Sequence, residues 1–301
     1  MTAVLDQRPG GQPPVAPRRR PGALSRRNLV DTVLTGYLPI AVATLVIVLP
    51  LVWMILASFK SPSELLTQHI DVLPDTLAPH NYAEAARTVP FGRLFVNSLV
   101  VTAVGAGIKV ALAITTAYAL VFVRFPFKRV IFALVLATLM VPPQVSVLPN
   151  FVLISDLGGQ DTYWGIILPG LATGFGTFLL RQQFLTLPGS IMEAAELDGA
   201  GHWQRLTRVV VPISIPAIAT VALVNIVFEW NEYLWPLVIV SDPNMMTLPV
   251  GLTLLRNSES SAASYGILMA GTVLVVVPVL VVFAAFQRFI VSGLTQGAVK
   301  D

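Results

Sequence analysis

Two carboxylic acids lie three residues apart inside one of the apolar stretches of this sequence. Glu229 and Glu232 stand in a run that is otherwise free of charge, with Tyr233 and Trp235 close behind them. Side chains three residues apart share one face of a helix. With Asn231, this segment would offer hydrogen-bond acceptors and aromatic rings to a polar molecule, so it is a candidate pathway for a polar solute. Alternatively, the two acids hold neighbouring helices together or lie near the outer lipid headgroups, where the cost of a charge is smaller.

A single cation, Lys109, lies near the middle of another apolar stretch. A charged side chain at the centre of a bilayer costs roughly 2.5–3.5 kcal/mol on insertion scales, so it must face protein or water. We expect Lys109 to pair with a carboxylate of a neighbouring helix.

The sequence lacks the motifs of several enzyme classes. It has no cysteine, which excludes disulfides and thiolate metal sites. His69, His80 and His202 are far apart and none lies in an HExxH motif, so we predict no metal site. No GxxxxGK[ST], GxGxxG or GxSxG motif is present. We therefore predict no catalytic residues and no cofactor bound by this chain.

The composition indicates a protein whose exterior faces lipid. Of the 301 residues, 55% are hydrophobic and 12% are charged, and the mean hydropathy is +0.76. Soluble domains carry about 25% charged residues. A chain with so little charge cannot cover a globule with polar side chains, so we predict an integral membrane protein.

Six apolar stretches are each long enough to cross a hydrocarbon core of ~30 Å as a helix. The sequence therefore predicts an all-α membrane protein with six transmembrane helices. Pro142 and Pro143 lie in the third stretch, whose second half we expect to be bent. Residues 1–30 form a basic, proline-rich tail that we expect to be disordered, and residues 31–301 form the six-span domain. The stretches cover about 37–59, 94–123, 130–154, 163–184, 209–240 and 263–290.

The distribution of basic residues predicts the orientation of the chain. With six spans both termini lie on one side, and cytoplasmic segments carry an excess of lysine and arginine. We therefore expect cytoplasmic termini and a cytoplasmic loop at 188–208, and the arginine-rich tail suits a membrane surface better than a nucleic acid. Basic residues on this side include Arg18, Arg19, Arg20, Arg26, Arg27, Arg124, Lys128, Arg129, Arg181, Arg205, Arg208, Arg288 and Lys300, against Lys60, Arg87, Arg93 and Arg256 on the other.

The loop between the fourth and fifth spans has the pattern of two short helices separated by glycine. Gly199 can supply the positive φ that a turn between helices requires. Small residues beside it permit close approach of another protein, so the loop is suited to docking on a partner. Residues that would contact this partner and couple its movement to the spans are the candidate coupling residues: Glu193, Ala194, Ala195, Asp198, Gly199, Arg205 and Pro212.

A family resemblance rests on this loop. Glu193-Ala194-Ala195 is followed by three residues, a glycine, nine residues and an aliphatic-x-aliphatic-Pro ending at Pro212. This frame resembles the EAA loop of permease subunits in binding-protein-dependent ABC importers. The segments 117–125, 230–235 and 286–289 are similar to other motifs of sugar-importer permeases. The maltose-type and glycerol-phosphate-type subunits look most similar.

The resemblance implies a type I ABC importer permease fold in which cytoplasmic coupling helices lie between spans 4 and 5. It also implies a bacterial inner membrane location, a second permease subunit, two ATPase subunits that bind ATP and Mg²⁺, and an extracytoplasmic solute-binding protein. The implied solute is a sugar or a sugar-like molecule, with a glycerol-phosphate ester as the alternative. Because Lys109 is the one cation deep inside the membrane, neutral sugars are slightly favoured.

Two other functions remain to be compared with the importer. Glu229, Glu232 and Lys109 could serve as ion-coupling groups of a secondary transporter, but internal repeats are not detected and the loop would be unexplained. The paired carboxylates could also serve an intramembrane enzyme, although no second acidic motif completes such a site.

Overall fold

The computed structural model describes residues 33–65, 71–172, 174–258 and 263–295, and every regular element in these ranges is helical. The predicted tail 1–30 and His69 lie outside the described residues. The helices are α1 Leu38–Ser58, α2 Pro62–Leu65, α3 His80–Thr88, α4 Phe91–Phe122, α5 Lys128–Thr138, α6 Val147–Asp156, α7 Tyr163–Ile167, α8 Gly174–Leu185, α9 Gly189–Leu197, α10 His202–Arg205, α11 Val211–Ile213, α12 Ile215–Asn231, α13 Leu234–Ile239, α14 Leu248–Ser258 and α15 Ala263–Thr295.

The chain divides into two compact units, one up to Val52 and the other from Trp53 onward. The described part of the first unit is a π-helical turn, Val33–Tyr37, followed by most of α1. Its large apolar side chains are exposed, as a surface in contact with lipid requires.

Three helical segments of the described chain are long and apolar enough to cross a membrane: Leu34–Ser58, Phe91–Phe122 and Tyr265–Ala285. Three bent pairs of helices pass the same test when each pair is taken together, which raises the number of candidate spans to six. The all-helical membrane architecture is therefore confirmed, with three to six spans.

The third predicted span is broken, as its prolines indicate. The segments Lys128–Thr138 and Pro143–Asp156 meet at an angle of 92°, and Pro142 has an extended backbone with ψ of 129°. Proline lacks the N–H that would continue the helix, and its ring disfavours the α conformation of the residue before it. The bend follows directly from the Pro142-Pro143 pair.

The fifth predicted span differs from a continuous helix in two places. His202–Ile213 and Ile215–Ile239 meet at 83°, close to Pro212 and Pro216 in the sequence. A second interruption separates α12 from α13, where Glu232 has an extended backbone with ψ of 120°. The spacing of Glu229 and Glu232 predicted a shared helical face. That prediction is wrong, because Glu232 lies outside the helix.

The polar stretch after α1 is held by buried side chains. Lys60 is 1% exposed, and its Nζ donates to the carbonyl of Asp71. Asn81 is also buried, and its Nδ2 donates to the carbonyls of Ser58 and Lys60, both at 2.9 Å. The two bonds of Asn81 connect α3 to the end of α1 and to the residues just after it.

Glycines allow the close packing of α8 against its neighbours. A Cβ on Gly174 would lie 2.8 Å from the carbonyl oxygen of Val135 in α5. A Cβ on Gly176 would lie 3.0 Å from the Cβ of Ala113 in α4 and 3.1 Å from Cγ1 of Val221 in α12. The helix pairs could not approach so closely with larger residues at these positions.

Candidate functional site

The predicted glycine turn ends α9. Gly199 has a φ of +75°, and its N–H donates to the carbonyl of Glu196 at 3.0 Å. The N–H of Ala200 donates to the carbonyl of Ala195, also at 3.0 Å. This pair of bonds is a Schellman motif, which satisfies carbonyls at the helix end and requires a left-handed residue between them. Glycine is the residue that adopts that conformation without strain.

An ion pair connects the two short helices of the loop. Arg205 Nη1 in α10 lies 3.2 Å from Glu196 Oε2 in α9. The N–H of Gly201 also donates to Gln204 Oε1 at 3.1 Å, which satisfies one free donor at the start of α10. With the turn, these bonds connect α9 and α10 as one unit.

The inner side of the loop packs on three longer helices. Met192, Leu206 and Val210 are buried in one hydrophobic cluster with Tyr118 of α4 and Phe184 of α8. Val221 of α12 belongs to the same cluster. The loop therefore rests on the ends of α4, α8 and α12.

The outer side of the loop is exposed and partly apolar. Leu197 is 89% exposed and Trp203 is 69% exposed. Large apolar side chains in such exposed positions are typical of protein or membrane contact surfaces. Of the predicted coupling residues, Ala195 and Arg205 are half-buried, whereas Glu193, Ala194, Asp198, Gly199 and Pro212 are exposed.

Lys109 and Glu229 form an ion pair between α4 and α12. Lys109 Nζ donates to Glu229 Oε1, and the side chains are 14% and 12% exposed. Two glycines lie beside the pair. A Cβ built on Gly105 would lie 3.0 Å from Glu229 Oε2, and a Cβ built on Gly170 would lie 3.4 Å from Lys109 Nζ. The expected pairing of Lys109 with a carboxylate of a neighbouring helix is confirmed.

Three of the predicted pathway residues lie at the break between α12 and α13. Asn231, Glu232 and Tyr233 are all exposed. Glu232 Oε1 accepts the N–H of Trp235 at 3.2 Å, which satisfies a donor in the first turn of α13. The Asn231 amide donates to the carbonyl of Val227 in its own helix at 2.7 Å.

Trp235 is engaged elsewhere. Its indole Nε1 donates to the carbonyls of Gly165 and Ile166, at 3.2 and 3.0 Å, and so binds α13 to α7. Of the five pathway residues, Glu229 and Trp235 therefore make contacts between helices, and the three at the break remain accessible.

Polar residues that the sequence analysis did not single out fix the segment after α13. Asp161 Oδ1 accepts the N–H groups of Ser241 and Asp242 at 2.7 and 2.8 Å. Asn97 is buried and donates to the carbonyl of Asn244 at 2.8 Å, and Tyr163 donates to Asn97 Oδ1 at 2.7 Å. The signal that could have identified Asn97 is an amide side chain within a predicted membrane span.

Within the described residues, no group of three or more histidine, cysteine, aspartate or glutamate side chains is placed to hold a metal ion.

The chain matches a known family over most of its length. Residues 103–296 match the family described as "Binding-protein-dependent transport system inner membrane component". The sn-glycerol-3-phosphate transport system permease protein UgpE of Rhizobium meliloti (strain 1021) is 33% identical over 270 residues, which covers 87% of this chain and 96% of that protein. The UgpE protein of Yersinia pestis bv. Antiqua (strain Antiqua) is 32% identical, covering 86% and 95%.

Two solved structures share the fold. A bacterial ABC transporter involved in the import of the acidic polysaccharide alginate has a chain that superposes with a TM-score of 0.76 at 25% identity, covering 88% of this chain and 98% of that chain. A chain of the bacterial alginate ABC transporter in complex with an alginate pentasaccharide-bound periplasmic protein superposes with a TM-score of 0.62 at 15% identity, covering 87% and 95%.

Proposed function

The chain belongs to the inner membrane components of binding-protein-dependent transport systems. We propose that the loop predicted at 188–208, whose helical turns run from Gly189 to Val210 and which is called the 189–210 loop below, couples solute movement to ATP hydrolysis by partner subunits. As the permease component of an ABC importer it has no ATPase site of its own, and nucleotide is bound by a partner ATPase. This membership excludes the ion-coupled secondary transporter and the intramembrane enzyme.

One observation carries the proposed coupling role. The loop combines an inner side packed on α4, α8 and α12 with an outer side of small and apolar exposed residues. A unit of this kind can transmit the closing of a partner to the helices beneath it as a rigid body. Ala194 and Gly199 allow the partner to approach closely, and the Arg205–Glu196 ion pair keeps the two short helices together. We assign Glu193, Ala195, Asp198 and Pro212 to the same contact region.

The assembly follows from the same proposal. The loop and both termini lie in the cytoplasm. Residues 1–30 form a tail, and residues 31–301 form the permease domain. A second permease subunit pairs with this chain in the membrane. Two ATPase subunits dock on the cytoplasmic side. A solute-binding protein docks on the segments 60–90 and 241–262 at the opposite side. The alginate transporter in complex with its periplasmic protein supports this last partner.

We propose a neutral sugar as the solute, passing Asn231, Glu232 and Tyr233. Lys109 is neutralised by Glu229, so this pair offers no free cation to an anionic solute. The exposed carboxylate of Glu232 would repel an anion at the break after α12. The names of the UgpE relatives favour a glycerol-phosphate ester instead, which is the second candidate.

Purification from the native host tests the coupling role. Valine at position 199 would have to adopt a φ of +75°, a severe outlier for a β-branched residue, so Gly199→Val should reshape the loop. We expect tagged native protein in mild detergent to carry a P-loop ATPase, identified by mass spectrometry, and the variant to lose most of it. Gly201→Ser is the matched control, because Gly201 has a φ of −69° that any residue adopts.

Two results would contradict the coupling role. One is an equal amount of ATPase on the native protein and on Gly199→Val. The other is native protein that purifies alone and moves solute into liposomes without ATP.

Uptake measurements test the solute pathway. Tyr233→Ala should raise the half-saturating concentration of maltose roughly 2- to 10-fold, which corresponds to the loss of about 0.5–1.5 kcal/mol of ring stacking. Tyr265→Ala is the control, since Tyr265 is an exposed aromatic residue on α15. Faster uptake of sn-glycerol 3-phosphate than of maltose by native cells would reject the neutral-sugar assignment.

A further inference from the structure

Tyr118 connects the long helix α4 to the 189–210 loop. The residue is 4% exposed, and its hydroxyl lies 3.2 Å from Nδ1 of His202, the first residue of α10. The two rings meet edge to face, with centroids 6.1 Å apart and an angle of 80°. Tyr118 also packs against Phe122, at a centroid distance of 5.2 Å. The ring is thus held by the core and its hydroxyl reaches the loop.

This contact differs in kind from the other contacts between the loop and the helices on which it packs. Met192, Leu206 and Val210 make apolar contacts, which are non-directional. In the part of the chain that the structure describes, the Tyr118–His202 contact is the one side-chain hydrogen bond between α4 and the loop. A directional bond fixes the position of α10 along α4, which apolar packing alone does not.

The same helix carries Lys109 of the ion pair with Glu229. Lys109 lies nine residues before Tyr118, which is about 14 Å along an α-helix. Its partner Glu229 lies two residues before the end of α12. One uninterrupted helix, α4, therefore contacts the loop through a hydrogen bond and the end of α12 through an ion pair.

We propose that Tyr118 and His202 are positioning residues that transmit movement of the loop to α4, and that the Lys109–Glu229 pair passes this movement to the break after Asn231. The inference rests on the proposed coupling role of the loop. It adds a route by which ATP hydrolysis reaches the segment assigned to the solute.

The test uses the complete transporter in proteoliposomes, with this chain, its second permease, its ATPase subunits and its solute-binding protein. Tyr118→Phe removes the hydroxyl and keeps the packed ring. We expect the stimulation of ATPase activity by solute-loaded binding protein to fall about fivefold, the effect of one net hydrogen bond worth about 1 kcal/mol. Basal ATPase activity and the amount of bound ATPase subunit should stay unchanged.

A double-mutant cycle separates the link from general destabilisation. His202→Ala should lower the stimulation as Tyr118→Phe does, and the combined variant should lose no more than either alone, because both remove one interaction. Thr115→Val is the matched control, since the Thr115 hydroxyl lies on the same helix and bonds to the carbonyls of Ala111 and Leu112. Its stimulation should equal that of the native transporter.

Full stimulation in Tyr118→Phe overturns the link while leaving the proposed function intact. Additive losses in the combined variant, or an equal loss in Thr115→Val, overturn it as well. A native transporter whose ATPase activity ignores the binding protein would instead reject the proposed function, and the link with it.

Discussion

Lys109→Met is expected to destabilise the folded protein by about 3 kcal/mol, the lower end of the range for a buried pair, because it leaves the carboxylate of Glu229, whose side chain is only 12% exposed, without its partner. Removal of the other partner, Glu229→Leu, leaves the ammonium group of Lys109 unpaired and should cost a similar free energy of unfolding. Thermal unfolding of the purified protein in detergent measures both effects. The yield of monodisperse protein should fall with the unfolding temperature.

The double variant Lys109→Met with Glu229→Leu is the control. Replacing both members of a buried ion pair with apolar residues is often neutral or stabilising, whereas removing one member is strongly destabilising. We expect the double variant to recover most of the lost stability. Single variants as stable as the native protein would contradict the burial of this pair, as would a double variant no better than the singles.

Among substitutions that add a single methyl group to a glycine, Gly165→Ala should destabilise the fold most. A Cβ at position 165 would lie 1.9 Å from the carbonyl oxygen of Gly159, and that atom belongs to the backbone and cannot rotate away. Relieving the clash would displace α7 and its bonds to the indole of Trp235. Overpacking typically costs 1–3 kcal/mol, and we expect about 3 kcal/mol or more here, measured by thermal unfolding.

Gly107→Ala is the matched control for this change. Gly107 lies inside α4, and nothing lies within 4 Å of a Cβ built there. Alanine is favoured over glycine in a helix by about 1 kcal/mol, so this variant should be as stable as the native protein or more stable. A Gly165→Ala protein that unfolds at the native temperature would show that α7 and the turn at Gly159 are not in contact.

Local chemistry made several features predictable from the sequence. The break at Pro142-Pro143 follows from the missing N–H of proline. The turn at Gly199 follows from the glycine between two helical patterns, and the pairing of Lys109 follows from the cost of a lone charge inside a membrane. In each case the cause lies within a few residues, or in a cost that any fold must meet.

The break after Asn231 has a local cause in Pro236, whose ring would clash with the carbonyl of Glu232 four positions earlier in a continuous helix, but the arrangement of the chain around the break was not predictable in this way. Trp235 bonds to carbonyls about 70 positions earlier in the chain, and Asp161 holds the segment that follows α13. Contacts between residues so far apart leave no periodic pattern in the sequence.

The ion pair between α4 and α12 also limits the electrical work that accompanies movement of these two helices. A single elementary charge carried across the membrane changes its energy by about 2.3 kcal/mol per 100 mV. Lys109 and Glu229 carry opposite charges on adjoining helices, so when α4 and α12 move together the pair transfers no net charge. The membrane potential therefore does no net work on the pair in such a joint movement, which is electrically silent.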